Sequence, residues 1–214
     1  MPDQLLSAAS RLHGSSWREQ MSGARALAGL ADRWNSDGAN AHAQRYLDVL
    51  CAYLRVRRYP GSPERERSAS VVREQVTSLL TDFLRSGLGA VQGGILLNLS
   101  AVHIRGRLIF DGVSFGPGLR LILDRAQVEE DSRLSFDGCQ FRGCIVRLHR
   151  VLLQKHAVLS VVGSTLDAGA WLVASTAGVH PTARVDMRGI SRTRNPGAAA
   201  HPVIATAPLH CQKF

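Results

Sequence analysis

Leu108-Ile-Phe-Asp-Gly-Val-Ser-Phe115 returns thirteen residues later as Leu121-Ile-Leu-Asp-Arg-Ala-Gln-Val128, and thirteen after that as Leu134-Ser-Phe-Asp-Gly-Cys-Gln-Phe141. Working outward, segments 95–107, 108–120, 121–133 and 134–147 lie one under another, the last with one extra residue. The first opens on Ile95-Leu-Leu97-Asn98 and continues with Ser100-Ala-Val102. Large apolar residues recur at positions one, three and eight, a small one at position six, and Asp or Asn at position four. Each segment closes on an arginine: Arg107, Arg120, Arg133 and Arg147.

Alternating apolar residues give each unit two short strands with one inward face. The small residue (Ser100, Val113, Ala126, Cys139) marks a tight corner. Asn98, Asp111, Asp124 and Asp137 are placed to bond their own backbone across a turn, in preference to forming a carboxylate ladder for Ca²⁺. Gly106, Gly116, Gly118 and Gly143 supply permissive turns. No unit can bury its apolar face alone, so neighbours must stack. The pattern predicts a β-solenoid, with one unit making either a whole coil or part of one. Beyond Arg147 it continues less regularly: Leu148, Leu159, Trp171 and Val185 restart units at intervals of 11, 12 and 14, and Trp171 is large enough to cap the stack. Six or seven irregular coils are expected.

Residues 1–90 read as helical. A short helix covers roughly Asp3 to Leu12. Ser16 and Glu19 form a capping box ahead of an apolar stripe from Trp17 through Met21, Ala24 and Leu27 to Trp34. After a polar break at Asn35 to Asn40, Ala41 to Arg58 places Leu47, Leu50, Cys51 and Leu54 on one face. Ser62-Pro63 starts a further helix, which presents Val72, Val76, Leu80 and Phe83 and stops before Gly87 and Gly89. The expected class is α+β: helices over 1–90, a right-handed solenoid over 91–190 and a disordered tail over 191–214.

Of 214 residues, 45% are hydrophobic and 20% charged, a composition of folded chains. The formal charge is +9 and evenly spread: 12 basic and 9 acidic residues in 1–94, 11 and 8 in 95–190, 3 and none in the last 24. A nucleic-acid binder usually concentrates its basic residues on one face. The four cysteines have no zinc-like spacing; Cys139 and Cys51 fall on core positions, and reduced thiols in a cytoplasmic protein, free or membrane-peripheral, are expected. No signal peptide is read at the N-terminus. Ala157 to Val179 carries Asp167 and several Ser, Thr and Gly, too polar for a membrane span.

The columns resemble the pentapeptide-repeat family of right-handed β-helices. Ser100-Ala-Val102, Val113-Ser-Phe115, Ala126-Gln-Val128 and Cys139-Gln-Phe141 fit that family's pair of a small residue and an apolar centre, and Phe136, Phe141, Val146 and Val151 keep five-residue spacing. The chain departs by alternating fives with eights. Leu47-Asp-Val-Leu-Cys-Ala-Tyr-Leu-Arg55 is similar to the helical segment that precedes such repeats in many actinobacterial proteins. The resemblance implies a fold and no activity. Some members mimic DNA, but mimicry requires an acidic surface, and the basic charge here argues against it.

No phosphate loop follows Gly93-Gly94, and no hydrolase, metalloprotease or dinucleotide fingerprint occurs. His103, His149 and His156 share no column. No catalytic residue, metal or cofactor is read from the chain. Arg107, Arg120, Arg133 and Arg147 are the candidate binding residues, a ladder along one solenoid edge that could meet phosphates or an acidic protein face. The expectation is a non-catalytic scaffold for a protein partner, with nucleic acid or an anionic membrane surface as the alternative.

Overall fold

A computed structural model describes residues 2–37, 40–56, 63–85, 94–167 and 169–192. It contains helices α1 (Pro2–Leu12), α2 (Trp17–Asp37), α3 (Asn40–Arg55) and α4 (Pro63–Arg85), then fourteen short strands. These are β1 (Leu96–Asn98), β2 (His103–Ile104), β3 (Arg107–Ile109), β4 (Ser114–Phe115), β5 (Arg120–Ile122), β6 (Gln127–Val128), β7 (Arg133–Ser135), β8 (Gln140–Phe141), β9 (Ile145–Leu153), β10 (Val158–Ser160), β11 (Thr165–Leu166), β12 (Trp171–Val179), β13 (Arg184–Asp186) and β14 (Ser191–Arg192). The tail expected to be disordered lies, from residue 193 onward, outside the described residues.

The helices begin and end close to where their sequence signals fall. Ser16 and Glu19 form the reciprocal cap: the Glu19 N–H donates to Ser16 Oγ at 3.2 Å, and the Ser16 N–H to the Glu19 carboxylate at 3.2 Å. The break expected at Asn35 to Asn40 is shorter, since α2 continues to Asp37 and α3 starts at Asn40. Ala24, Leu27, Leu47, Leu50, Val76 and Leu80 are buried together. Gly23 permits the crossing of α1 and α2: a Cβ there would stand 2.3 Å from the Leu12 backbone nitrogen.

Every strand pairing is parallel and joins strands 24 to 26 residues apart, as in Leu96↔Arg120, Arg120↔Ile145 and Ile145↔Trp171. Two 13-residue units therefore complete one turn, and the solenoid has about four turns, not six or seven. Three parallel sheets run along it: β1-β5-β9-β12 with β2-β6-β9, then β3-β7-β10-β13, then β4-β8-β11-β14. β9 and β12 each extend across two of the short strands of earlier turns.

The register also corrects the repeat alignment. Position one is held by Leu97, Leu121, Val146 and Leu172 on one side of the turn, and by Leu108, Leu134, Leu159 and Val185 on the other. The first unit thus begins at Leu97, two residues later than Ile95. The last four units begin at Val146, Leu159, Leu172 and Val185, thirteen residues apart. From Val146 on the repeat is regular; a start two residues late at Leu148 and one early at Trp171 made it look irregular.

Inside, Phe110 stacks on Phe136 at 5.1 Å and Phe115 on Phe141 at 5.2 Å. Glycine and non-glycine residues share the corners. Ala101, Arg125 and Arg150 turn one corner with φ of 56° each, a conformation uncommon outside glycine. Buried Cys139 occupies the small-residue column as expected. Its thiol donates to the Phe110 carbonyl at 3.1 Å, and one turn on the Ser164 hydroxyl makes the same bond to the Phe136 carbonyl at 2.6 Å. Burial pushes the Cys139 thiol up to about 12, so it carries no thiolate at neutral pH.

The helices cap the solenoid, and one apolar core runs through both. A first turn has no preceding neighbour, so its outer N–H and C=O groups need other partners. Gln44 on α3 presents its side-chain amide as a peptide would: Nε2 donates to the Leu96 carbonyl at 2.8 Å, and Oε1 accepts the Leu96 N–H at 2.9 Å. Along α4, Arg73 donates to the His103 carbonyl (2.7 Å), Thr81 to that of Ile109 (3.2 Å) and Arg85 to that of Asp111 (2.9 Å). Arg73 also donates to the Leu54 carbonyl at 3.0 Å, tying α3 to the cap. Charged hydrogen bonds of this kind contribute about 1.5–3 kcal/mol each. Arg73→Met should therefore lower unfolding stability by roughly 2 kcal/mol, read from urea denaturation. An unchanged midpoint would show that water replaces the guanidinium.

Candidate interaction face

Strands of the first sheet alternate their side chains in and out. Leu97, Leu121, Val146 and Leu172 point in and are buried. The residues on either side of each point out and form two columns up the solenoid: Leu96, Arg120, Ile145, Trp171 and Asn98, Ile122, Arg147, Val173. Apolar side chains dominate this outer surface. Leu96 is 41% and Trp171 39% exposed, Ile145 and Val173 are partly covered, and Ile122 is tucked down to 8%.

The borders of the face differ in chemistry. One corner is a ladder of glycines, Gly94, Gly118, Gly143 and Gly169, all at positive φ. A Cβ on Gly118 would stand 3.3 Å from the Cα of Gly94, so the ladder positions themselves carry no side chains, and the Pro117 ring lies beside Gly143. The opposite corner carries Arg125 and Arg150, both exposed. Its carboxylate, Asp124, is occupied by Arg147, whose Nε donates to Oδ1 at 3.0 Å. Arg120 has no acidic partner among the described residues. The surface is an apolar strip with an unpaired cation in it and more positive charge alongside.

The four candidate arginines do not form one ladder. Because alternate units lie on opposite sides of a turn, Arg107 stacks beside Arg133 on the second sheet, while Arg120 and Arg147 project from the first. Those two are also out of step, since Arg120 pairs with Ile145 and Arg147 with Ile122. Arg133 is tied to Asp137 at 2.7 Å, whereas Arg107 faces α4 across a shallow groove lined by Glu74, Thr77, Ser78 and Arg85.

The Asp column is split in the same way. Among the described residues, Asn98 alone of the column bonds the backbone of its own turn, accepting the Ser100 N–H at 3.1 Å. Asp111, Asp124 and Asp137 accept backbone N–H groups of the following turn, from Asp137, His149 and Val162. They brace one coil on the next. His103 bonds Glu129 at 3.1 Å, and His149 bonds Ser175 at 2.9 Å. No group of three or more His, Cys, Asp or Glu among the described residues could hold a metal ion.

No family model matches the chain, and neither a curated protein nor a solved structure matches it.

Leu96, Ile145 and Trp171 went unrecognised as surface residues in the sequence. Trp171 was expected to cap the stack, but it starts β12 on the outside, beside Ile145. The available signal was its place one residue before an inward leucine, equivalent to Arg120 before Leu121. No helix among the described residues is long and apolar enough to cross a membrane.

Proposed function

We propose that this protein is a non-catalytic interaction scaffold that docks a protein partner on the outer face of its first sheet. The observation that supports it best is the pairing of half-exposed Leu96 and Trp171 with Arg120, which has no acidic partner among the described residues, on one sheet face. Tryptophan and arginine are the residues on which interfaces most often depend. Kinship with the pentapeptide-repeat proteins belongs to the same reading. It is supported by the inward, buried run of Phe136, Phe141, Val146 and Val151 at five-residue steps, and relatives of that kind present surfaces instead of catalytic clefts.

The competing reading, nucleic acid or an anionic membrane surface held by the arginines, draws on the +9 charge. It has lost its contiguous ladder, and two of its four arginines are engaged by Asp124 and Asp137. Affinity capture of the tagged protein with and without nuclease separates the two. A stoichiometric, nuclease-resistant protein that is retained by wild type and lost by Trp171→Ala is the expected result. The thermal midpoint of Trp171→Ala should stay within about 2 °C of wild type, because an exposed side chain contributes little to folding. Binding that vanishes with nuclease and falls steeply with salt would replace this reading with the nucleic-acid one.

A further inference from the structure

We infer that the occupant of this face is an acidic amphipathic helix lying along the solenoid axis; this rests on the docking reading above. The column Leu96, Arg120, Ile145, Trp171 steps from one turn to the next in register. At a strand spacing of about 4.8 Å, its members stand at roughly 0, 4.8, 9.6 and 14.4 Å. A helix rising about 1.5 Å per residue places i, i+3, i+7 and i+10 at about 0, 4.5, 10.5 and 15 Å on a single stripe. The two series agree to within about 1 Å. Apolar side chains at i, i+7 and i+10 would then meet Leu96, Ile145 and Trp171. The residue at i+3 meets Arg120, and a carboxylate there completes a charge-assisted hydrogen bond.

Charge and size select this occupant over others. Arg120 stands in the strip and Arg125 and Arg150 border it, while Asp124 at the arginine corner is already bound by Arg147 and Asp167, two residues before Gly169, by Arg142. A second copy of the same face would set these cations against one another, a like-charge contact that disfavours association. Three strand steps of about 4.8 Å give the column a length of about 14 Å, close to that of ten helical residues. A single helix fits that length. The glycine ladder, which adds no side chains of its own, gives it lateral room, and the arginine corner favours further acids along its other flank.

The test is selection of random sixteen-residue peptides displayed on phage against the full chain, followed by anisotropy with the winners as labelled probes. Enriched peptides should share the spacing apolar, acid at +3, apolar at +7 and +10. Their affinity should fall roughly tenfold or more in Arg120→Glu and in Trp171→Ala. Lysine in place of the acid should restore binding to Arg120→Glu. Peptides that need Trp171 but lack the acid, or that alternate as strands, would overturn the helix and leave the docking face standing. Winners indifferent to both substitutions would remove the docking face as well. If no peptide is enriched and phosphatidylserine vesicles sediment the wild type but not Trp171→Ala, the face binds lipid and both readings fall. Selection that yields neither peptide nor vesicle binding overturns the helix, and capture with Trp171→Ala then decides the docking face alone.

Discussion

Phe136→Ala should destabilise the protein by about 3–5 kcal/mol, the largest effect expected of any single substitution here. The ring is fully buried and lies nearly parallel to Phe110 at 5.1 Å and 12°. It also meets Phe115 at 6.3 Å and Phe141 at 6.5 Å, so its removal opens a cavity shared by two turns. The stacked backbone hydrogen bonds hold the coil at its full width and prevent collapse into that space, which keeps the cost high. In a chain of this length the thermal midpoint should fall by roughly 10 °C. Phe136→Leu should cost far less, about 1 kcal/mol, because one turn later the same column is filled by aliphatic Val161. Differential scanning calorimetry of both variants checks this. Equal losses would mean that aromatic stacking, and not filled volume, sustains the core.

Asp137→Ala comes next, at about 2–3 kcal/mol. Its carboxylate accepts the Ser160 hydroxyl at 2.5 Å and the Val162 N–H at 2.7 Å, both from the following turn, and the Arg133 guanidinium at 2.7 Å. Burial by itself would raise its pKa. The Ser160 hydroxyl, the Val162 N–H, Ser135 and the Arg133 charge outweigh that and hold it below the ordinary carboxylate value. A carboxyl depressed on folding stabilises at any pH above its unfolded pKa of about 3.9. That contribution disappears as pH falls through the folded value. Wild-type stability should therefore decline below about pH 4, and Asp137→Asn should decline less steeply over the same range in urea titrations. Parallel curves would assign the acid sensitivity to other carboxylates.

These two residues also show what was legible beforehand. Phe136 and Asp137 were placed in their correct columns by the repeat, since inward alternation and a turn acid are local properties of a unit. What Asp137 bonds to was not legible. Its partners, Ser160 and Val162, lie 23 and 25 residues away, and nothing within one unit says that the next turn begins two units on.

The slip of two residues in the first unit has an equally simple cause. Ile95, Leu97 and Leu99 alternate as a strand does, and a shift by two returns the same inward face. Sequence pattern alone cannot tell Ile95 from Leu97 as the start. The strand pairing Leu97↔Leu121 decides it. The same ambiguity gave Leu148 in place of Val146 and set Arg147 in the column of Arg120.

The sequence by itself determined a helical first part, a thirteen-residue unit, an inward apolar face and the necessity of stacking, because each follows from periodicity and burial over a few residues. Only the tertiary structure decided that two units make a turn. It also decided that Gln44, Arg73, Thr81 and Arg85 close the first edge, and that Arg120 and Trp171 share an outer face while Arg107 and Arg133 stand on another. Those outcomes depend on which strand bonds to which, and that choice rests on closing hydrogen bonds between residues about 25 apart, beyond the reach of any local pattern.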